Sequence, residues 1–260
     1  MAEYSPKRSR NLYRPGDGKT FKLSRSKIDT FINCPRCFYV DRRLGIRPPE
    51  GFPFNLNSAV DELLKREFDQ YRSAGQSHPL IEKAGIEAIP YSHEDLDKWR
   101  ANFTGIQYLH ERTNLLLHGA IDDVWQDAAG DLIVVDYKAT SKNGPVSIDA
   151  DWQIAYKRQM EFYQWLLRQN NFTVSDTGYF IYCNGIRDKD AFNGVLEFTI
   201  DVIPYTGNDE WVEGTILDAY TCLNSDTIPP PDPGCELCRY NEVMLNLSED
   251  WAVKGKIIIF

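Results

Sequence analysis

The chain has 260 residues, of which 42% are hydrophobic and 13% aromatic, enough to pack one large domain or two small ones and too much for a disordered chain. Its net charge of −9 is unevenly spread: residues 1–47 carry twelve Lys or Arg against four Asp or Glu, which makes that segment +8 and leaves the remainder at −17. The acidic total argues against non-specific wrapping of long duplex nucleic acid, while a basic segment can still track phosphates locally.

Residues 1–20 are polar, basic and broken by Pro15, Gly16 and Gly18, which predicts a flexible arm ahead of a domain spanning 21–260. The opening Met-Ala-Glu-Tyr-Ser-Pro-Lys-Arg lacks the apolar segment of a signal peptide. No apolar run nears the roughly 18 to 20 residues of a bilayer span, so a cytoplasmic protein is expected. Ser24 or Ser26 can cap a short helix carrying Ile28, Phe31 and Ile32, which ends near Cys34-Pro-Arg-Cys37. Arg47 to Pro53 reads as loop. Asn57 is placed to cap a helix running to about Arg72, with Val60, Leu63, Leu64, Phe68 and Tyr71 at helical spacing and Asp61 on the rim of that face. Residues 75–110 show no clear period.

Leu115 to Trp125 and Leu132 to Ala139 are apolar runs flanking a turn signal with Gly130, which predicts a β-hairpin. Strand alternation puts Asp136 and Lys138 on one face and Val135 and Tyr137 on the other. By the same parity His118 shares a face with Asp122, where a structural role is expected for it. Asp149 or Asp151 then begins a helix through Asn170 whose apolar stripe is interrupted by Gln159. Thr177–Cys183 and Val195–Ile203 read as two further strands, and Asn208 or Asp209 caps a helix to about Leu223. A proline-rich linker at 229–234 delivers Cys235-Glu-Leu-Cys238, and the terminal Lys256-Ile-Ile-Ile-Phe260 is expected to dock as a strand.

Three ionisable groups on a central hairpin are costly if buried alone, so Asp122, Asp136 and Lys138 predict a site that takes an ion or substrate. Hard divalent cations favour oxygen ligands, which makes Asp122 and Asp136 candidates to hold Mg²⁺ or Mn²⁺, with Lys138 positioned to orient water or stabilise developing charge. Paired Cys-x-x-Cys in a cytosolic chain points to metal ligation rather than disulfides, and the four thiolates of Cys34, Cys37, Cys235 and Cys238 suit tetrahedral Zn²⁺. Cys183 and Cys222 read as ordinary buried thiols.

In order, Gly119-Ala-Ile-Asp122, Asp136-Tyr-Lys138 and Gln159-Met-Glu-Phe-Tyr163 resemble the PD-(D/E)XK nuclease superfamily, and within it the RecB-like branch that includes CRISPR-associated RecB-like exonucleases and the AddB nuclease domain. The resemblance covers roughly residues 23–240. It implies a restriction-endonuclease-like α/β core, a central mixed sheet flanked by helices, led by the 115–138 hairpin and with the chain ends brought together. It also implies metal binding by Asp122 and Asp136, a catalytic Lys138, and Gln159 and Tyr163 lining the site. Relatives commonly place a metal-binding His on an early helix, where this chain offers Asp61. Iron–sulfur members use one N-terminal and three C-terminal cysteines, whereas this chain has two and two, which leaves Zn²⁺ and an iron–sulfur cluster both open.

The activity so implied is Mg²⁺- or Mn²⁺-dependent hydrolysis of DNA phosphodiester bonds, from ends or on single strands, in DNA repair, recombination or CRISPR-type processing, with protein partners in such a complex. A different class of reading is a nuclease-fold DNA-binding or scaffold subunit whose chemistry Asp61 has weakened. A third is a cysteine–metal interaction module that binds no nucleic acid.

Overall fold

Alternating β-branched and aromatic residues set out the strands, and runs of helical period set out the layers around them. In chain order the elements are β1 (Phe21–Ser24), α1 (Arg25–Asn33), α2 (Pro35–Arg42), α3 (Asn55–Ala74), α4 (Pro79–Lys83), β2 (Ala88–Pro90), α5 (Leu96–Arg100) and β3 (Ile106–His110). There follow β4 (Leu115–Gly119), β5 (Asp123–Asp127), β6 (Leu132–Thr140), α6 (Ile154–Gln169), β7 (Thr177–Gly185), β8 (Phe198–Thr206), α7 (Glu210–Asn224) and α8 (Glu236–Lys254). The computed structural model describes residues 7–48, 51 and 54–254, with side chains as far as residue 247. The expected terminal strand at Lys256–Phe260 lies outside the described residues.

The chain forms two compact units. One comprises Met1–Phe21, Ser26–Pro49 and Thr215–Phe260, and the other Lys22–Arg25 and Glu50–Gly214. The first gathers segments from the N-terminal and C-terminal parts of the chain. Its described N-terminal part is packed rather than free: Arg8 N donates to Gly45 O at 2.6 Å, Tyr13 is buried, and the Tyr13 ring meets Phe21 edge-on at 5.3 Å. Composition suggested an arm because it shows the charge and not the anchors. Arg8 and Lys27 bind the buried Asp41 at 2.6 and 2.8 Å, beside Arg42 at 3.0 Å. Burial alone would raise the Asp41 pKa, but the hydrogen bond from Lys27 and the Arg42 charge hold it below the usual carboxylate range.

The second unit holds a five-stranded mixed sheet in the order β2-β5-β6-β7-β8 and a three-stranded sheet in the order β1-β4-β3. Pairing in the larger sheet is antiparallel except between β6 and β7, which run parallel through the α6 crossover. α3 buries Leu64 and Phe68 against Trp125, Ile133, Val135 and Tyr137, with the Phe68 ring stacked 4.0 Å from His78 and 5.8 Å from Trp125. Gly75, at φ 64°, ends that helix in the left-handed turn that favours glycine. The sequence predicted one apolar stripe on α6, yet residues 160–167 are buried without a break. The helix packs against β6 and also against β3 and β4, so it is covered on two sides.

The predicted 115–138 hairpin needs correction. Its first run is two strands: β4 belongs to the small sheet, and only β5 pairs with β6, from Asp123 opposite Val135 to Gln126 opposite Leu132. The break has a side-chain cause, because Asp122 Oδ2 accepts from Tyr137 N at 3.0 Å and so occupies a donor that the ladder would otherwise use. His118 therefore lies on β4 while Asp122 stands in the bend before β5, and the parity that linked the two does not apply. Partial burial, and secondarily the Lys22 charge, push its pKa down to about 4, so it is a half-buried, neutral imidazole. The poorly periodic 75–110 stretch holds four short elements, too brief for any period to show.

Asp123, one residue on, is fully buried and binds the guanidinium groups of Arg72 and Arg100, the latter at 2.8 Å, while Tyr137 Oη donates to it at 2.8 Å. Both arginines also reach Asp69, so α3, α5 and β5 are tied at one point. Asp123→Ala leaves two guanidinium groups of low exposure without that partner and should destabilise the protein by roughly 3 to 5 kcal/mol. Urea unfolding monitored by tryptophan fluorescence measures this, and a loss below about 1 kcal/mol, the range of an exposed pair, would show that the network is not structural.

Candidate active site

β6 alternates as predicted. Val135 and Tyr137 face α3, while Asp136 contacts Gln159 and Lys138 contacts Tyr156, both on α6. Asp136 is fully buried: its Oδ1 accepts from Gln159 Nε2 at 2.7 Å, and its Oδ2 is ion-paired with the Lys138 ammonium but accepts no other hydrogen bond. Burial raises the Asp136 pKa to about 7, with Lys138 opposing and Asp122 adding to the rise. Lys138 Nζ lies 4.5 Å from the centre of the Tyr156 ring, a cation–π contact that fixes its direction. Gln159 Nε2 also lies 3.2 Å from the buried Tyr163 Oη, so one amide joins the two.

Gly119 has a steric reason to be glycine. A Cβ there would lie 2.5 Å from Tyr163 Cε1, well inside contact distance. The predicted Gly-x-x-Asp and Gln-x-x-x-Tyr motifs thus meet physically, with the ring of the second resting on the backbone of the first.

Asp61 lies on α3 and accepts from Lys65 Nζ at 2.8 Å, and the same ammonium is 3.5 Å from Asp122 Oδ1. Burial, then the Asp122 charge, raise the Asp61 pKa; for Lys65, burial is outweighed by Asp122 and Asp61, and its pKa rises as well. A small cleft of about 110 Å³ opens here, lined by Asn57, Val60, Asp61, Tyr137, Lys138, Ala139 and Tyr156. It lies toward the C-terminal end of β6, where Asn57 Nδ2 donates to Ala139 O at 3.0 Å.

All six residues predicted for the hydrolytic site lie in the second unit, linked through Lys65, Asp122, Asp136 and Gln159. The three carboxylates are more widely spread than the four cysteines, which among the described residues are the group whose ligand atoms lie within 4.8 Å of one another. The donor set nevertheless fits a hard divalent cation. It consists of oxygens, the Asp61 and Asp136 carboxyls are both raised in pKa by burial and by the Asp122 charge, and the buried Asp136 Oδ2 depends on a single ammonium.

Four contributors were not read from sequence: Asp123, Lys65, Tyr156 and Glu161. Lys65 was legible as the i+4 partner of Asp61. Glu161 is buried on α6, where Tyr205 Oη at 2.5 Å, Trp211 Nε1 at 2.7 Å and Asn208 N at 3.2 Å donate to it. Their positions gave no local signal.

A mixed sheet flanked by helices, with a buried Asp-x-Lys strand beside a helical Gln-x-x-x-Tyr, is the arrangement of a restriction-endonuclease-like fold. The chain belongs to the PD-(D/E)XK nuclease superfamily, whose sequence profile matches residues 22–243. Members are typically metal-dependent nucleases that bind DNA. Among curated proteins nothing matches the chain. Among the described residues no helix is long and apolar enough to cross a membrane.

Gly119→Ala forces the Tyr163 ring to move and should cost about 1 to 3 kcal/mol, the usual range for overpacking. Thermal unfolding should show a lowered midpoint, and an unchanged midpoint would mean that the ring accommodates a methyl group without strain.

Proposed function

We propose that the chain is a nuclease of the RecB-like branch that hydrolyses DNA, acting on single strands or ends, with Asp61, Asp122 and Asp136 holding Mg²⁺ or Mn²⁺. The observation that carries the reading is the buried Asp136, bound on one oxygen by Gln159 and on the other by Lys138 alone. When bound, the divalent ion supplies Lewis-acid charge at the phosphoryl group and makes water a better nucleophile at neutral pH.

The chain's own groups do the rest. Lys138, held against Tyr156, presents its ammonium to the attacking water or to a phosphate oxygen as negative charge develops there. Gln159 fixes the rotamer of Asp136 and is itself fixed by Tyr163. Single-strand action is supported by Trp152, 63% exposed and 5.4 Å from the Tyr156 ring in an edge-on pair: an unpaired base can stack there, near Lys138, whereas a base within duplex is already stacked. DNA repair, recombination or CRISPR-type processing, with protein partners, is the setting that the RecB-like motif order suggests.

Cleavage of end-labelled single- and double-stranded DNA with Mg²⁺, Mn²⁺ or chelator tests the reading. Metal-dependent products are expected, faster on single strands. Asp136→Asn and Lys138→Ala should each lower the rate by at least 100-fold, about 2.7 kcal/mol of barrier, while remaining folded by circular dichroism. Undiminished turnover in either variant removes this site.

One observation favours the catalytically weakened reading, a DNA-binding or scaffold subunit. The Lys65 ammonium lies within 3.5 Å of both Asp61 and Asp122, so a cation of the chain competes for the acids. Metal-dependent cleavage separates the two readings, and calorimetry of Asp61→Ala tests whether Asp61 is a ligand. Weaker Mn²⁺ binding is expected if Asp61 is a ligand, and affinity indifferent to Asp61 returns it to pairing with Lys65.

A further inference from the structure

The two cysteine pairs are built alike. Cys34 is the N-cap of α2, its carbonyl accepting from Phe38 N at 3.1 Å and its sulfur from Cys37 N at 3.5 Å. Cys235 stands immediately before α8, its carbonyl accepting from Arg239 N at 3.0 Å while its own N donates to Asp232 O at 3.0 Å. Each Cys-x-x-Cys therefore straddles a helix start, with one thiol before the first turn and one within it.

Both starts, which belong to the same unit, converge on one point. Cys37 Sγ lies 3.5 Å from Cys238 Sγ and 3.6 Å from Cys235 Sγ, and Cys34 Sγ lies 3.8 Å from Cys238 Sγ. All four sulfurs fall within 4.8 Å of one another, and none is in a disulfide.

A tetrahedral ion with metal–sulfur bonds of about 2.3 Å sets its thiolates about 3.8 Å apart along each edge of the tetrahedron. The separations here match that edge. A polynuclear iron–sulfur cluster, of the kind found in cluster-bearing relatives, interposes several irons and inorganic sulfides between its cysteine ligands and requires a wider opening than these contacts leave.

We propose that Cys34, Cys37, Cys235 and Cys238 form a single-ion tetrathiolate site for Zn²⁺ and not a cluster site. Soft thiolate donors suit that ion. Four thiolates exceed its charge by two, and the surplus faces the positive N-terminal ends of α2 and α8. Arg36 and Arg47 add cationic character to the neighbouring cavity of about 370 Å³, which Cys37 and Cys238 also line, while the Lys27 charge there is matched by Asp41. The site joins residues 198 positions apart, Cys37 and Cys235, and so ties the two sequence-distant parts of its unit.

The test needs no cleavage readout, so its failure and that of the nuclease reading are distinguishable. The full chain is purified reduced and without oxygen, and zinc, iron and acid-labile sulfide are measured per chain. One zinc and no sulfide are expected, with the zinc released in step as a mercurial reagent titrates the four thiols. Cobalt in place of zinc should give the intense visible bands of a tetrahedral tetrathiolate. Cys235→Ser with Cys238→Ser should abolish stoichiometric zinc, whereas Cys183→Ser and Cys222→Ser retain it. Several irons with labile sulfide overturn the proposal, as do four thiols that titrate freely with no metal released. One iron without sulfide overturns zinc as the occupant.

Discussion

Burying a carboxylate in the middle of a sheet is unfavourable by several kcal/mol unless its charge is matched, and the second unit is arranged around matching Asp136. One oxygen takes the Gln159 amide and the other the Lys138 ammonium, each of which is positioned by an aromatic residue of α6. The helix must then lie close to β4, which the missing side chain at Gly119 permits. A single charged group thus sets the approach of α6 to the strand beneath it.

A second buried acid, Asp123, has the complementary role. Its charge is neutralised by Arg72 and Arg100, and the group it anchors is the body of the unit rather than the cleft. Tyr137 connects the two regions, since its backbone N–H donates to Asp122 while its hydroxyl donates to Asp123. A shift in the arginine network would be carried through this one side chain into the end of β6. Tyrosine supplies rigid reach here, and burial together with the Asp123 charge keep its phenol protonated.

Much of this was legible in the sequence because it is periodic or motif-borne. The α6 helix, the β7 and β8 strands and the order of Asp122, Asp136, Lys138, Gln159 and Tyr163 follow from spacing and from resemblance. The break between β4 and β5 was hidden, because Leu115 to Trp125 reads as one apolar run and the interruption comes from a carboxylate bonding to a residue fifteen positions away. Asp123 was hidden by its neighbour: the motif claims Asp122, and only strand parity shows that the next acid faces the core. The elements between residues 75 and 110 are three to five residues long and gain their order from tertiary contact rather than local propensity.

Glu161 gives α6 a property that the cleft residues alone would not. Gln159 and Tyr163 hold the helix from one direction, and Tyr205, Asn208 and Trp211 hold it through Glu161 from another. A cylinder gripped at two bearings cannot roll about its axis. The aim of the Gln159 amide is therefore set in part by the stretch from the end of β8 to the start of α7, which acts as the stop that keeps the helix in register.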